Sequence, residues 1–149
     1  MIVSHVPYLE SLNFTFSPEL KKHLSPNNFY FFAVKDKKVL SILSYSIFYI
    51  DEVKTFKIEM IITEMKYRNM GFAGRLLDKF LSSLSKAELV MTTPYTPLGI
   101  KYLKKYIADN PKLIKTEIKS GYKVLPVEGY PLDKVNTIIY VDEFIWRLR

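Results

Sequence analysis

Residues 55–74 read TFKIEMIITEMKYRNMGFAG, and the change of period inside this stretch decides the fold. From Thr55 to Met60 polar and apolar residues alternate, and the spacing predicts a strand to Glu64 with Phe56, Ile58, Met60 and Ile62 on one face. From Gly71 the period becomes helical. Phe72, Leu76, Leu77, Phe80, Leu81 and Leu84 take one side, while Arg75, Asp78, Lys79, Ser82 and Ser83 take the other. Between the two lies Arg68-Asn69-Met70-Gly71-Phe72-Ala73-Gly74, a strand-to-helix junction. A helix N-terminus offers unpaired backbone N–H groups and about half a positive charge, which suits a phosphate. Gly71 and Ala73 carry little or no side chain, so an anion can approach the backbone closely. The stretch is not a P-loop, because no Gly-Lys-Ser/Thr follows. Nor is it the dinucleotide fingerprint, since the strands before it form hairpins rather than a strand–helix–strand unit.

Working upstream, residues 29–34 and 39–50 are aromatic and β-branched, with turn signals at Asp36-Lys37-Lys38 and Asp51-Glu52-Val53-Lys54. With 55–64 they read as an antiparallel meander. Residues 1–27 are weakly patterned, apart from a short helix opened by Ser17 as cap and Pro18 in the first turn. Downstream, 88–92 is a short buried strand. Thr96 and Pro97 then open a second helix whose apolar side is Leu98, Tyr102, Leu103 and Tyr106. Residues 112–119 read as a further helical stretch, and 122–127 and 136–146 as closing strands around Glu128-Gly129-Tyr130-Pro131. The order of elements predicts one α/β domain over residues 1–149, with helices flanking a mixed, mostly antiparallel sheet.

Composition bounds the chemistry. The chain has 149 residues, which suits one domain, and its 48% hydrophobic residues can fill a core. It has no cysteine, so disulfides, thiolate metal sites and cysteine nucleophiles are excluded. His5 and His23 match no metal-ligand spacing, and no metal is expected. Neither a signal peptide nor a membrane span is legible; residues 39–50 are interrupted by serines and fall short of the roughly 20 apolar residues a bilayer needs. A soluble, cytoplasmic protein is the expectation. The net charge of +7 leaves a nucleic-acid or acidic partner open, although the lysines are scattered rather than gathered in one motif.

Residues 68–73, Arg-Asn-Met-Gly-Phe-Ala, match Arg/Gln-x-x-Gly-x-Gly/Ala. Placed after a meander and before helix, strand and helix, the motif resembles the GNAT superfamily of N-acetyltransferases. The resemblance covers residues 29–107 best. It implies that acetyl-CoA is the co-substrate, its pyrophosphate held by the backbone of Asn69, Met70, Gly71, Phe72, Ala73 and Gly74, with Arg68 at the motif's first position. It implies further that the backbone of Ile61, Ile62 and Thr63 runs along the pantetheine arm. Arg75 and Lys79 are candidates for the cofactor's outer phosphate. Tyr102 falls where the family places a general acid for the leaving thiolate, with Tyr106 as rival. Tyr95 stands where the family usually has Asn.

A protonated amine must lose its proton before attack, so a base is required. Glu59, which by strand alternation shares a face with Ile61 and Thr63, is the first candidate, and Glu64 the second. The family opens with a strand and two helices walling the acceptor site. Here only about 27 residues precede the meander, which implies a shortened N-terminal region and a more open cleft. The acceptor is an amine, on a small molecule or a macromolecule. The aromatic last strand, with Tyr140, Phe144 and Trp146, leaves a homodimer open. The alternative is an acetyl-CoA-binding module without turnover, acting in a protein or nucleic-acid complex.

Overall fold

Asp36 and Lys37 both take left-handed backbone (φ 52° and 64°), as do Asp51 and Glu52 (φ 47° and 67°). Such turns match the twist of antiparallel strands, so each closes a tight hairpin. A computed structural model shows the result and describes residues 1–85, 88–92, 97–126 and 136–148. The chain forms two compact units, Met1–Glu88 and Leu89–Arg149. No described helix is long and apolar enough to cross a membrane.

The first unit contains β1 (Ile2–Pro7), α1 (Tyr8–Ser11), α2 (Pro18–Lys21), β2 (Phe29–Lys35), β3 (Lys38–Ile50), β4 (Val53–Thr63), a 3-10 turn (Met65–Tyr67) and α3 (Phe72–Ser82). Its strands lie in the order β1-β2-β3-β4, every ladder antiparallel. The expected meander is therefore present, and the opening strand and two helices are present in compressed form. Each of the two helices has 4 residues. Ser17 caps α2 as expected, accepting from the N–H of Leu20.

The sheet divides two cores. On one face Val6, Leu20, Tyr30, Phe32, Val34, Val39 and Ile42 pack together, joined by Phe14, Phe16 and Ile62. On the other, Phe80 of α3 meets Phe31, Tyr45 and Phe56 at ring separations of 5.5, 5.3 and 6.0 Å. Leu76, Leu77 and Phe80 are fully buried, so the helical period read from the sequence is the face that packs. Truncating Phe80 to Ala would cost about 3–5 kcal/mol.

The second unit contains β5 (Leu89–Thr92), α4 (Pro97–Asp109), β6 (Leu113–Pro126) and β7 (Asn136–Leu148), with β7 between β5 and β6 in antiparallel ladders. Here one expectation fails. Residues 112–119 are not helical: Leu113 begins a 14-residue strand that pairs with β7 along its length. Ile114, Thr116 and Ile118 alternate with Lys115, Glu117 and Lys119, a period of two with β-branched residues on one parity. That pattern favours strand over helix because β-branched side chains lose χ1 freedom in a helix. Phe144 and Trp146 are buried, and between Phe144 and Arg147 β7 is paired on both sides. That stretch offers no open edge to a second copy. The expected loop at residues 128–131 and the cap at Thr96 lie outside the described residues.

Candidate functional site

β4 does not keep its alternation. Tyr45 pairs with Ile58 and Ser44 with Met60, which leaves Glu59 opposite no residue: a β-bulge. Before the bulge, Phe56 lies against Phe80 on the α3 face. After it, Ile62 packs into the opposite core, while Thr63 bonds Ser41, hydroxyl to hydroxyl at 2.8 Å. The sequence-based grouping of Phe56, Ile58, Met60 and Ile62 on one face is thus broken midway. The same extra residue overturns the expected parity of Glu59. Its carboxylate accepts from the Ser46 hydroxyl at 2.7 Å and lies 3.9 Å from the Lys57 ammonium. Ser46 and Lys57 are cross-strand partners, so Glu59 sits on their side rather than with Ile61 and Thr63. Bulges recur where a strand must re-aim a side chain, and here that side chain is an exposed carboxylate.

Glu64 is differently placed. It is 6% exposed, follows β4 directly, and lies 3.6 Å from the Lys38 ammonium. Its Oε2 has no hydrogen-bond partner, so the carboxylate depends on the Lys38 charge. The buried carboxylate is thus tied to a partly exposed lysine, which leaves Glu59 as the accessible carboxylate on β4.

The loop is built from two left-handed residues. Asn69 has φ 63° and Gly71 has φ 81°, the latter as N-cap of α3. Asn tolerates this region and Gly adopts it freely. A Cβ added at Gly71 would meet nothing within 4 Å, so the space over the backbone is open. Among the described residues, no amide of residues 69–74 donates a hydrogen bond within the chain; the first to do so is the Arg75 N–H, to the Gly71 carbonyl at 3.1 Å. No side chain caps the helix either. The first N–H groups of an α-helix have no intrahelical acceptor, and here no side chain takes that place, so they are free to meet a ligand or water. Exposed Met70 and Asn69 and half-buried Phe72, Ala73 and Gly74 line it.

The cations around the loop are partly committed. Arg68 donates from Nε to the Thr63 carbonyl at 3.1 Å and from Nη2 to Glu19 at 2.9 Å. It therefore braces the junction between β4 and the loop. Arg75 donates to the Met70 carbonyl at 3.1 Å while its guanidinium lies 4.4 Å from the centre of the Phe72 ring. Lys79 stands in the last turn of α3. The Ile62 carbonyl accepts from Ser41 at 3.1 Å, and Ile61, Ile62 and Thr63 are all half-buried. Sequence reasoning missed Glu19, Ser46 and Lys38. Nothing in the chain order signals contacts between segments so far apart.

In the second unit Tyr102 lies on α4, 41% exposed, its ring 6.2 Å from that of Tyr106 with the two planes 30° apart. Leu103 is the buried neighbour. Tyr102 is thus a surface tyrosine of α4 rather than part of its apolar side. Tyr95 lies outside the described residues.

No protein-family model and no curated relative matches the sequence. Solved structures do match in fold. The chain resembles a GNAT-family acetyltransferase from Streptococcus pneumoniae at TM-score 0.55 and 15% identity, covering 100% of this chain and 99% of that one. It resembles Arabidopsis thaliana NAA60, solved in complex with acetyl-CoA, at TM-score 0.59 and 13% identity, over 97% and 96% of the two chains. A ribosomal-protein-alanine N-acetyltransferase from Brucella melitensis gives TM-score 0.56 at 15% identity, over 74% of this chain and 94% of that one. The chain has the α/β fold of the GNAT acetyltransferases.

Proposed function

We propose that this chain is an acetyl-CoA-dependent N-acetyltransferase that passes acetyl to a primary amine by direct attack. The observation that carries the proposal is the run of amides at residues 69–74 without acceptors, opening α3 beneath an open space at Gly71. In a GNAT fold, that cradle fits a pyrophosphate. The likeness spans both units, which supports reading residues 1–149 as one such domain.

Each residue then has a part. The amides of Asn69, Met70, Gly71, Phe72, Ala73 and Gly74 hold the pyrophosphate, and Arg68 fixes the loop they stand on. The backbone of Ile61, Ile62 and Thr63 runs beside the pantetheine arm. Glu59 takes the proton of the incoming ammonium, directly or through water. The amine nitrogen attacks the thioester carbonyl, and a backbone N–H near Ile61 or Ile62 holds the oxyanion. As the C–S bond breaks, the sulfur takes the Tyr102 hydroxyl proton, which solvent replaces.

The acceptor is an exposed amine on a macromolecule in this reading. Two one-turn helices are all that stands between β1 and β2, which supports an open acceptor side. The Brucella protein of similar fold acts, by its name, on alanine of a ribosomal protein. The net charge of +7 would favour an acidic or nucleic-acid-bound acceptor.

Release of coenzyme A, followed across a panel of peptides with free N-termini, lysine peptides and small amines, tests the proposal. Turnover is expected with at least one class, and Tyr102→Phe should lower kcat by about 100-fold, the lower end for a general acid. Tight binding of acetyl-CoA with no transfer to any amine would instead favour a binding module.

A further inference from the structure

Glu19 uses both oxygens of its carboxylate on the segment that leads into the loop. Oε1 accepts from Arg68 Nη2 at 2.9 Å, and Oε2 accepts from the backbone N–H of Met65 at 3.3 Å. Met65 begins the 3-10 turn and Arg68 follows it, so one side chain clasps the turn at both ends. Arg68 is held again from its other side, Nε to the Thr63 carbonyl. The next residue is Asn69 at φ 63°, and Gly71 follows at φ 81°. The direction in which the amides of residues 69–74 point is therefore set by where Arg68 is held. Glu19 comes from α2, whose Leu20 is buried in the core on the sheet face opposite α3. It ties that layer to the loop that opens α3.

We propose that Glu19 is a positioning residue for the cofactor loop: through Arg68 and the Met65 amide it pre-shapes the cradle for acetyl-CoA. The inference rests on the acetyl-CoA reading above. It makes an unusual demand on sign. A carboxylate near an anion site weakens anion binding by simple repulsion, so removing it should tighten the ligand. If Glu19 instead works by holding the loop in shape, removing it should weaken the ligand, because ordering the loop then falls to the binding step.

The test measures acetyl-CoA affinity by calorimetry for the wild type, Glu19→Ala, Glu19→Gln, Arg68→Gln and Glu19→Ala/Arg68→Gln. Alongside, it follows the rate of tryptic cleavage after Lys66 and Arg68 in the ligand-free proteins. Glu19→Ala is expected to raise Kd about 3- to 5-fold, the upper range for an exposed ion pair, with kcat at saturating acetyl-CoA unchanged. Glu19→Gln, which keeps the shape and an acceptor oxygen, should fall between it and wild type. The double variant should be no weaker than Arg68→Gln alone. Cleavage should speed up in Glu19→Ala while the melting temperature holds. A Kd that is unchanged or tighter in Glu19→Ala overturns the proposal, as does an unchanged cleavage rate. A wild type that does not bind acetyl-CoA overturns the proposed function instead, and the cleavage rates then still decide whether Glu19 braces the loop.

Discussion

The hairpin turns of the first unit and the loop that opens α3 use the same left-handed backbone to different ends. Asp36 and Lys37, and likewise Asp51 and Glu52, sit at positive φ between residues paired across the hairpin, Lys35 with Lys38 and Ile50 with Val53. The first turn is tied further, since Thr15 donates to the Lys37 carbonyl at 3.0 Å. At Asn69 and Gly71 the same conformation turns the chain without closing it, and the amides of residues 69–74 donate to nothing described in the chain. Backbone shape alone does not separate a structural turn from a binding loop. Where the N–H groups end up does.

Paired substitutions should pull the two kinds of turn apart. The largest effect is expected at the loop. Gly71→Val places a branched side chain at a φ that L-residues resist by about 1–2 kcal/mol, and fills the open space over the amides. Acetyl-CoA affinity measured by calorimetry should fall at least about 10-fold, with a stability loss in that same range. Retained affinity would mean that the cradle does not hold the ligand.

Next comes Lys38→Ala, beside the first hairpin. It strips the counter-charge from the buried Glu64 carboxylate and should destabilise the fold by about 1–3 kcal/mol in urea denaturation. Unchanged stability would show that Glu64 is not dependent on Lys38. Smaller again, Lys37→Gly relieves left-handed strain in the hairpin and should stabilise by up to about 1 kcal/mol. It should leave acetyl-CoA affinity untouched; a weaker Kd here would erase the contrast between closed and open turns.

The smallest effect is a slope with pH. His5 is a further residue at positive φ (52°), in a bulge of β1, with its Nδ1 2.6 Å from the Tyr45 hydroxyl. Burial, and then the Lys54 charge, hold its imidazole below the ordinary value of 6.5, against a smaller opposing pull from Glu88. His23 is lowered by burial and by Lys22, against an opposing pull from Glu19. A depressed folded-state pKa means that the unfolded chain binds protons more readily in acid. Stability from these groups is therefore complete above pH 6.5 and is lost as pH falls below it. Melting temperatures between pH 7.5 and 5 should decline, and His5→Asn, which tolerates the backbone, should flatten the decline. An identical slope in the variant would exclude His5. At the other extreme, burial pushes the Tyr45 hydroxyl up to about 12, so stability should also be lost between pH 10 and 12.

Much of this was written in the sequence, and the exceptions share a cause. The helical period after Gly71 and the hairpin signals are local, and Phe80, Leu76 and Leu77 pack where that period places them. Bulges are the opposite case. One unpaired residue at Glu59 moves every later side chain of β4 to the other face, yet leaves the alternation of Phe56, Ile58, Met60 and Ile62 intact on paper. β1 hides for a similar reason, because the bulge between Val3 and Val6 breaks its short pattern. β6 was legible in Ile114, Thr116 and Ile118, but charged residues between them also fit a helix surface. The loop's glycine was plain from the sequence. Its brace was not, because Glu19 and Arg68 meet only through tertiary packing.

Whether the amides of residues 69–74 hold the cofactor is decided by titrating acetyl-CoA into 15N-labelled protein and following each backbone amide. The largest shifts are expected at Asn69, Met70, Gly71, Phe72, Ala73 and Gly74, saturating together with a single Kd. Binding that leaves those amides unmoved while others shift, or no binding at all, would contradict that role.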